Sequence, residues 1–160
     1  MASFFLMRRD KALKYLKLAK YMAELFSKDP STKVGAIFLA PESLQVLSMG
    51  YNGFPRGIDE TKPERWARPT KYHWCAHAEQ NACFNACRHG TPLEKGIAVV
   101  TMFPCCECSR ALIQSGIHTL VSIHPDLSCN RWGSQFQISL EMFEEANIEL
   151  ILFDSQEIVS

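Results

Sequence analysis

The sequence has no charge excess, no long apolar run and no internal repeat. Lys and Arg together number 17 and Asp and Glu together 17, so no global field draws the chain to nucleic acid or to a membrane surface. Nothing approaches the run of about 20 apolar residues that a membrane helix needs. The apolar opening Phe4, Phe5, Leu6 and Met7 is cut short by Arg8 and Arg9, too early for a signal-peptide core. The chain therefore reads as cytoplasmic. Without repeats or low-complexity stretches, its 160 residues suit a single domain over 1–160 with one core. Cysteine is plentiful but odd in number, at seven, which argues against a complete disulfide framework. In a reducing compartment clustered cysteines more often bind metal. Cys83 and Cys129 read as buried free thiols, which pack as small hydrophobes.

Apolar spacing through Ala12, Leu16, Ala19, Ala23 and Phe26 predicts an amphipathic helix over 10–27, with Lys14, Lys17, Lys20 and Glu24 on the wet side. Asp29, Pro30 and Ser31 end it. Residues 34–40 and 44–51 read as an antiparallel hairpin. From 52 to 74 runs a polar stretch with three prolines and two glycines, long enough to be a functional or disordered loop. Helices at 77–89, 105–115 and 134–146 then alternate with strands at 97–102, 118–123 and 148–153. That alternation implies parallel strands with right-handed crossovers. The expected fold class is α/β: a three-layer α/β/α sandwich on a five-stranded mixed sheet, with the hairpin as its antiparallel edge.

Two short segments carry chemistry: His77-Ala78-Glu79 and Pro104-Cys105-Cys106-Glu107-Cys108. They spell H-x-E and P-C-x-x-C, the signature of zinc nucleobase deaminases. Cys105 and Cys108 are three apart at a predicted helix start, so both sulfurs can reach one ion. A helix N-terminus favours thiolates, and Pro104 is tolerated there because its missing N–H would have had no partner. One imidazole and two thiolates leave zinc a fourth position for water. Zinc lowers the pKa of such water toward about 7, so a zinc-bound hydroxide would attack C4 of cytosine. Glu79 would shuttle protons from that water to N3 and to the departing amine. The competing reading is a structural zinc with four protein ligands, for which Cys106, Cys75 and His73 are the spare donors. His73, Cys75, Cys83, Cys87 and His89 could also hold a second metal, although packed thiols explain Cys83 and Cys87 as well.

Beyond these motifs, residues 27–36 (SKDPSTKVGA), 50–57 (GYNGFPRG) and 103–110 (FPCCECSR), with the long insert before His77, resemble the deoxycytidylate (dCMP) deaminases. The similarity runs from about 10 to about 153; the loop at 126–134, with Arg131 and Trp132, departs from it. The resemblance implies a cytidine-deaminase-like fold and conversion of dCMP to dUMP for thymidylate synthesis. It implies His77, Cys105 and Cys108 as zinc ligands and Glu79 as proton shuttle. It further implies a homohexamer, activated by dCTP and inhibited by dTTP with Mg²⁺.

Candidate substrate contacts are Asn52, for a sugar hydroxyl or base edge unless it is only a turn residue, and Arg110, for the phosphate unless it is a surface charge. Thr101, Phe103 and Ala78 are candidates to wall the base, with core packing as the plainer role of Phe103, and Trp132 to close over the ring. Arg65, Arg68 and Lys71 are further cations that could serve a phosphate or an interface. Two rival functions stand beside this one: an RNA-directed adenosine deaminase of the same fold, which needs a basic surface that the charge balance does not suggest, and a non-catalytic, zinc-stabilised nucleotide sensor, which would have no use for Glu79.

Overall fold

A computed structural model describes residues 6–159; Phe4 and Phe5 of the apolar opening lie outside them. The elements, in chain order, are α1 (Arg9–Phe26), β1 (Gly35–Leu39), β2 (Val46–Tyr51), α2 (Pro63–Trp66), α3 (Lys71–Trp74), α4 (Ala78–His89), β3 (Ile97–Val100), α5 (Cys106–Gln114), β4 (Thr119–Ile123), α6 (Gly133–Glu145), β5 (Glu149–Phe153) and α7 (Ser155–Val159). The five strands form one sheet in the order β2-β1-β3-β4-β5. β1 is antiparallel to both of its neighbours, and β3, β4 and β5 run parallel. The mixed sheet and its antiparallel edge hairpin are as expected from the pattern.

Alternation along the strands sends side chains to two separate cores. Ala36, Phe38, Ala98, Val100 and Leu120 face α4, α5 and α6 and meet Ala82, Leu112, Phe136 and Phe143. Ile37, Leu39, Ile97, Val99 and Val121 face the other way, onto Leu16, Ala19 and Met22 of α1 and Ile158 of α7. This is the three-layer sandwich. α1 buries Ala12, Leu16, Ala19 and Ala23 as its spacing predicts, with Met22 besides. Phe26 does not join them: it is exposed and lies on Tyr51 with ring centroids 5.7 Å apart. The last turn of α1 reaches the edge strand, where only one neighbour remains to cover it.

α4 is locked to β2, which fixes where the H-x-E segment sits. Ser48 Oγ donates to the Ala82 carbonyl at 2.7 Å, and the Asn81 and Asn85 amides donate to the carbonyls of Tyr51 and Met49 at 2.8 and 2.7 Å. Between these contacts the helix backbone lies directly on Gly50. A Cβ there would meet the Ala78 carbonyl oxygen and the Ala82 nitrogen, both far inside van der Waals contact and both backbone. Gly50→Ala should therefore lift the start of α4 and cost about 1–3 kcal/mol, the usual range for overpacking. Chemical denaturation read with zinc content checks this, and an unshifted midpoint with full metal occupancy would refute it.

Candidate active site

His77 and Cys105 are the N-cap residues of α4 and α5, and Cys108 lies in the first turn of α5. Both helices present their N-termini to one place, so two positive dipole ends converge where thiolates are wanted. Gln80 fixes the first cap by accepting the His77 N–H at 3.0 Å through Oε1, the reach-back half of a capping box. The long insert does not disturb this placement. Gly53 and Ala76 exchange both backbone hydrogen bonds, at 3.1 and 2.9 Å, so the insert leaves and returns at one point immediately before His77.

His77 Nδ1 lies 3.5 Å from Cys105 Sγ and 3.3 Å from Cys108 Sγ. The three ligand atoms all fall within 4.8 Å of one another. Zinc bonded tetrahedrally to nitrogen and sulfur at its usual bond lengths would place those atoms about 3.5 Å apart, so the donor set and its spacing suit that ion. Among the described residues this is the one group of three or more such side chains gathered around a common point. His73, Cys75, Cys83, Cys87 and His89 form no second cluster; Cys87 and His89 point outward from α4.

The local electrostatics favour a metal-binding, proton-handling site. Cys105 is drawn down to about 4, first by its hydrogen bond from Cys108 and, against burial, by that from His77. Cys108 moves up because it shares its proton with Cys105 and is buried. His77 is raised, chiefly by its hydrogen bond to Cys105. Burial pushes Glu79 up to about 7, in the range where a carboxyl group both takes and gives a proton at neutral pH. Its side chain is buried, and His77, Cys105 and Cys108 are among the groups that act on its carboxyl, which places it beside the metal-binding set.

His77, Glu79 and Cys105 line a cavity of about 270 Å³, near the lower end of the range for small-molecule sites, while Cys108 is buried behind it. Val34, Ala78, Met102, Phe103, Phe136 and Trp132 supply its apolar lining. Trp132 meets the His77 ring edge-on at 6.1 Å and the Tyr72 ring edge-on at 6.1 Å.

Residues 9–124 match the family model described as the cytidine and deoxycytidylate deaminase zinc-binding region. The chain belongs to this family. It is 37% identical over 143 residues to an uncharacterized deaminase of the luxG 3' region of Aliivibrio fischeri, covering 86% of this chain and 92% of that protein. It is 34% identical over 114 residues to human deoxycytidylate deaminase, covering 67% of this chain but 61% of the human protein's length. A crystal structure of the dCMP deaminase of cyanophage S-TIM5, in complex with dCMP and dUMP, superposes with a TM-score of 0.74 at 21% identity, covering 92% of this chain and 100% of that one. At that identity the likeness speaks for the fold.

Within this deaminase-family site, the other predicted residues fall into two groups. Ala78, Phe103 and Trp132 line the cavity. Asn52 also lines it, but its amide is spent internally: Oδ1 accepts from Ser27 Oγ at 2.8 Å and from the Val34 N–H at 2.9 Å, while Nδ2 donates to the Thr32 carbonyl at 2.8 Å and to Asp29 Oδ2 at 3.2 Å. Thr101 accepts the Gly35 N–H at 3.0 Å and is not part of the cavity wall. Arg110 is exposed on α5 and is likewise absent from the wall. Two residues past Cys108 is about 200° around a helix, which turns Arg110 away from the face that holds the sulfurs.

The polar stretch at 52–74 is neither disordered nor plain loop. Phe54 stacks on Trp66 with centroids 4.1 Å apart, Arg65 covers Trp74 at 4.1 Å, and the Trp66 indole donates to the Glu60 carbonyl at 2.8 Å. This small aromatic core holds α2 and α3 and delivers Arg68, Lys71 and Tyr72 to the cavity. Sequence reasoning missed Asp29, read there as a helix terminator. It is a buried hub: Oδ1 accepts from Ser31 N, Ser31 Oγ and Thr32 N, and Oδ2 from Lys71 Nζ at 2.7 Å. The D-P-S-T run with its Asx-type hydrogen bonding was the available signal.

Proposed function

We propose that this protein deaminates dCMP to dUMP by hydrolysis, releasing ammonia. The observation that carries the reading is one imidazole and two thiols gathered beside a buried glutamate at a cavity of about 270 Å³. Membership of the deaminase family and the 34% identity to human deoxycytidylate deaminase support the choice of substrate. His77, Cys105 and Cys108 hold zinc, which, when bound, supplies hydroxide at neutral pH by acidifying a water. Cytosine lies between Phe103 and Trp132 with C4 toward Glu79. Glu79 takes a proton from the attacking water and gives it to N3. It then takes the proton of the new C4 hydroxyl to the amine, the C4–N4 bond breaks, and C4 becomes a carbonyl. Phe136, Trp132 and Tyr72 keep bulk water out of this exchange.

An ammonia-release assay across cytidine, dCMP, dCTP, cytosine and adenosine tests the reading. dCMP should lead in kcat/KM. A lead for adenosine would favour the RNA-directed alternative, and no release from any of them the sensor. The homohexamer, dCTP activation and inhibition by dTTP with Mg²⁺ belong to the same proposal as expectations from the family resemblance, and no residues are assigned to them.

A further inference from the structure

Charge is balanced over the whole chain but not along it. The first 28 residues hold seven Lys and Arg against two acids, while beyond Arg131 the chain has six acids and no Lys or Arg. α1 carries most of the first set and α6 half of the second. The fold puts these two helices on opposite faces of the sheet, α1 against one core and α6 against the other. A cationic helix therefore lies on one outer surface and an anionic helix on the other.

On α1, Lys11, Lys14, Leu18 and Tyr21 are three and four residues apart and form one stripe, turned away from the buried Ala12, Leu16, Ala19 and Ala23. Both lysines are exposed, and Leu18 and Tyr21 are 47% and 60% exposed. On α6 the corresponding stripe is Ser134, Ile138, Glu141 and Glu145, all exposed and opposite the buried Phe136, Ser139 and Phe143. None of these two lysines and two glutamates has an ion-pair partner among the described residues. The outermost charges also oppose their own helices. Lys11 lies in the first turn of α1, at the positive end of its dipole. Glu145 ends α6, at the negative end, where no basic residue offsets it. Opposite charge supplied from outside would relieve both.

We propose that α1 of one copy of this chain docks antiparallel on α6 of another. Leu18 then meets Ile138, Lys14 one turn on meets Glu141, and Lys11 two turns on meets Glu145, with Tyr21 over Ser134 at the other end. Direction decides the match. Run parallel, the same apolar contact would put Lys14 on Ser134 and Tyr21 on Glu141, and no charge would be answered. The antiparallel arrangement also sets the two helix dipoles against one another. Each copy offers α1 to one neighbour and α6 to the next. The contact is therefore head-to-tail, and it either closes into a ring or runs on as a filament. It is independent of the deaminase reading, and either can fail without the other.

The test is sedimentation velocity of the zinc-loaded full chain, for the parent and two charge-reversed variants. One carries Lys11→Glu with Lys14→Glu, the other Glu141→Lys with Glu145→Lys. All four positions are exposed, so both variants should keep the parent's circular dichroism. Each alone sets like charges against one another, and its assembly should fall to about half the parent's mass or less, as a head-to-tail contact is lost. An equimolar mixture should recover the parent's mass, because the reversed α1 of one variant then faces the reversed α6 of the other. Leu18→Asp, which keeps all four charges, gives a second reading and should lower the mass alike. The parent's assembly should shrink as salt is raised, since exposed charges are screened. Variants that sediment as the parent does, a parent that is a single chain included, would overturn the contact. So would a mixture that stays as small as its components, because the lost contact would then not join α1 to α6.

Discussion

Glu79→Gln should lower kcat for dCMP by about 10²–10⁴-fold while leaving zinc content and dUMP affinity within twofold of the parent. The glutamine keeps the shape of the side chain and removes its ability to carry a proton. In the folded chain Glu79 is buried and its carboxyl is pushed up to about 7 by that burial, so no bulk water stands ready to replace it. His77 and Cys105 take their positions from the caps of α4 and α5, and Cys108 from the first turn of α5, rather than from its charge. The expected signature is therefore a loss in kcat with metal and ligand retained. A variant with parent-like turnover would end the proton-shuttle role. Loss of zinc together with activity would instead make Glu79 part of the metal's support.

The second large effect lies beside the site. Lys71→Met should destabilise the protein by about 3 kcal/mol, the low end of the range for removing one partner of a buried ion pair. Asp29 keeps its bonds from Ser31, Thr32 and Asn52, which is why the low end applies. For a chain of this length the melting temperature should fall by about 6–12 °C. Combining it with Asp29→Asn should recover part of the loss, because no buried charge is then left alone. A melting temperature within a degree of the parent would refute the account.

The same pair sets an acid limit. Burial alone would raise the Asp29 carboxyl, but hydrogen bonds from Lys71, Ser31 and Thr32 outweigh it and hold the group below its usual range. The unfolded chain therefore takes up this proton first. The pair's contribution is complete above an unfolded carboxyl value of about 4 and is lost as pH falls through the lower folded value. Denaturation midpoints followed from pH 6 to pH 2 should drop less steeply in Lys71→Met than in the parent.

The helices of 10–27, 77–89, 105–115 and 134–146 were legible because each buries one face and so repeats at helical spacing, and the central strands because burial on both faces leaves short, continuous apolar runs. The ligand set was legible for a related reason: a metal held from two helix starts needs donors at fixed local spacings, and those survive in one dimension. α2 and α3 left no such trace. Four residues each, they are too short to show a period and are held by aromatic contacts within the insert. α7, at five residues, has the same difficulty.

The sequence by itself determined the α/β class and the set of His77, Cys105 and Cys108 that the fold gathers, since local periodicity and local spacing encode them. Tertiary structure decided which cations line the cavity and which polar groups are already spent. Asn52 offers four hydrogen-bonding sites on paper and has none left in the fold. Arg110 is near Cys108 in sequence but turned away from it in space. Arg68 and Arg131, 63 positions apart in the chain, line one cavity because the insert folds back on itself and the β4–α6 connection lies beside it. Which free donor faces a ligand depends on long-range packing, and no short window of sequence records that.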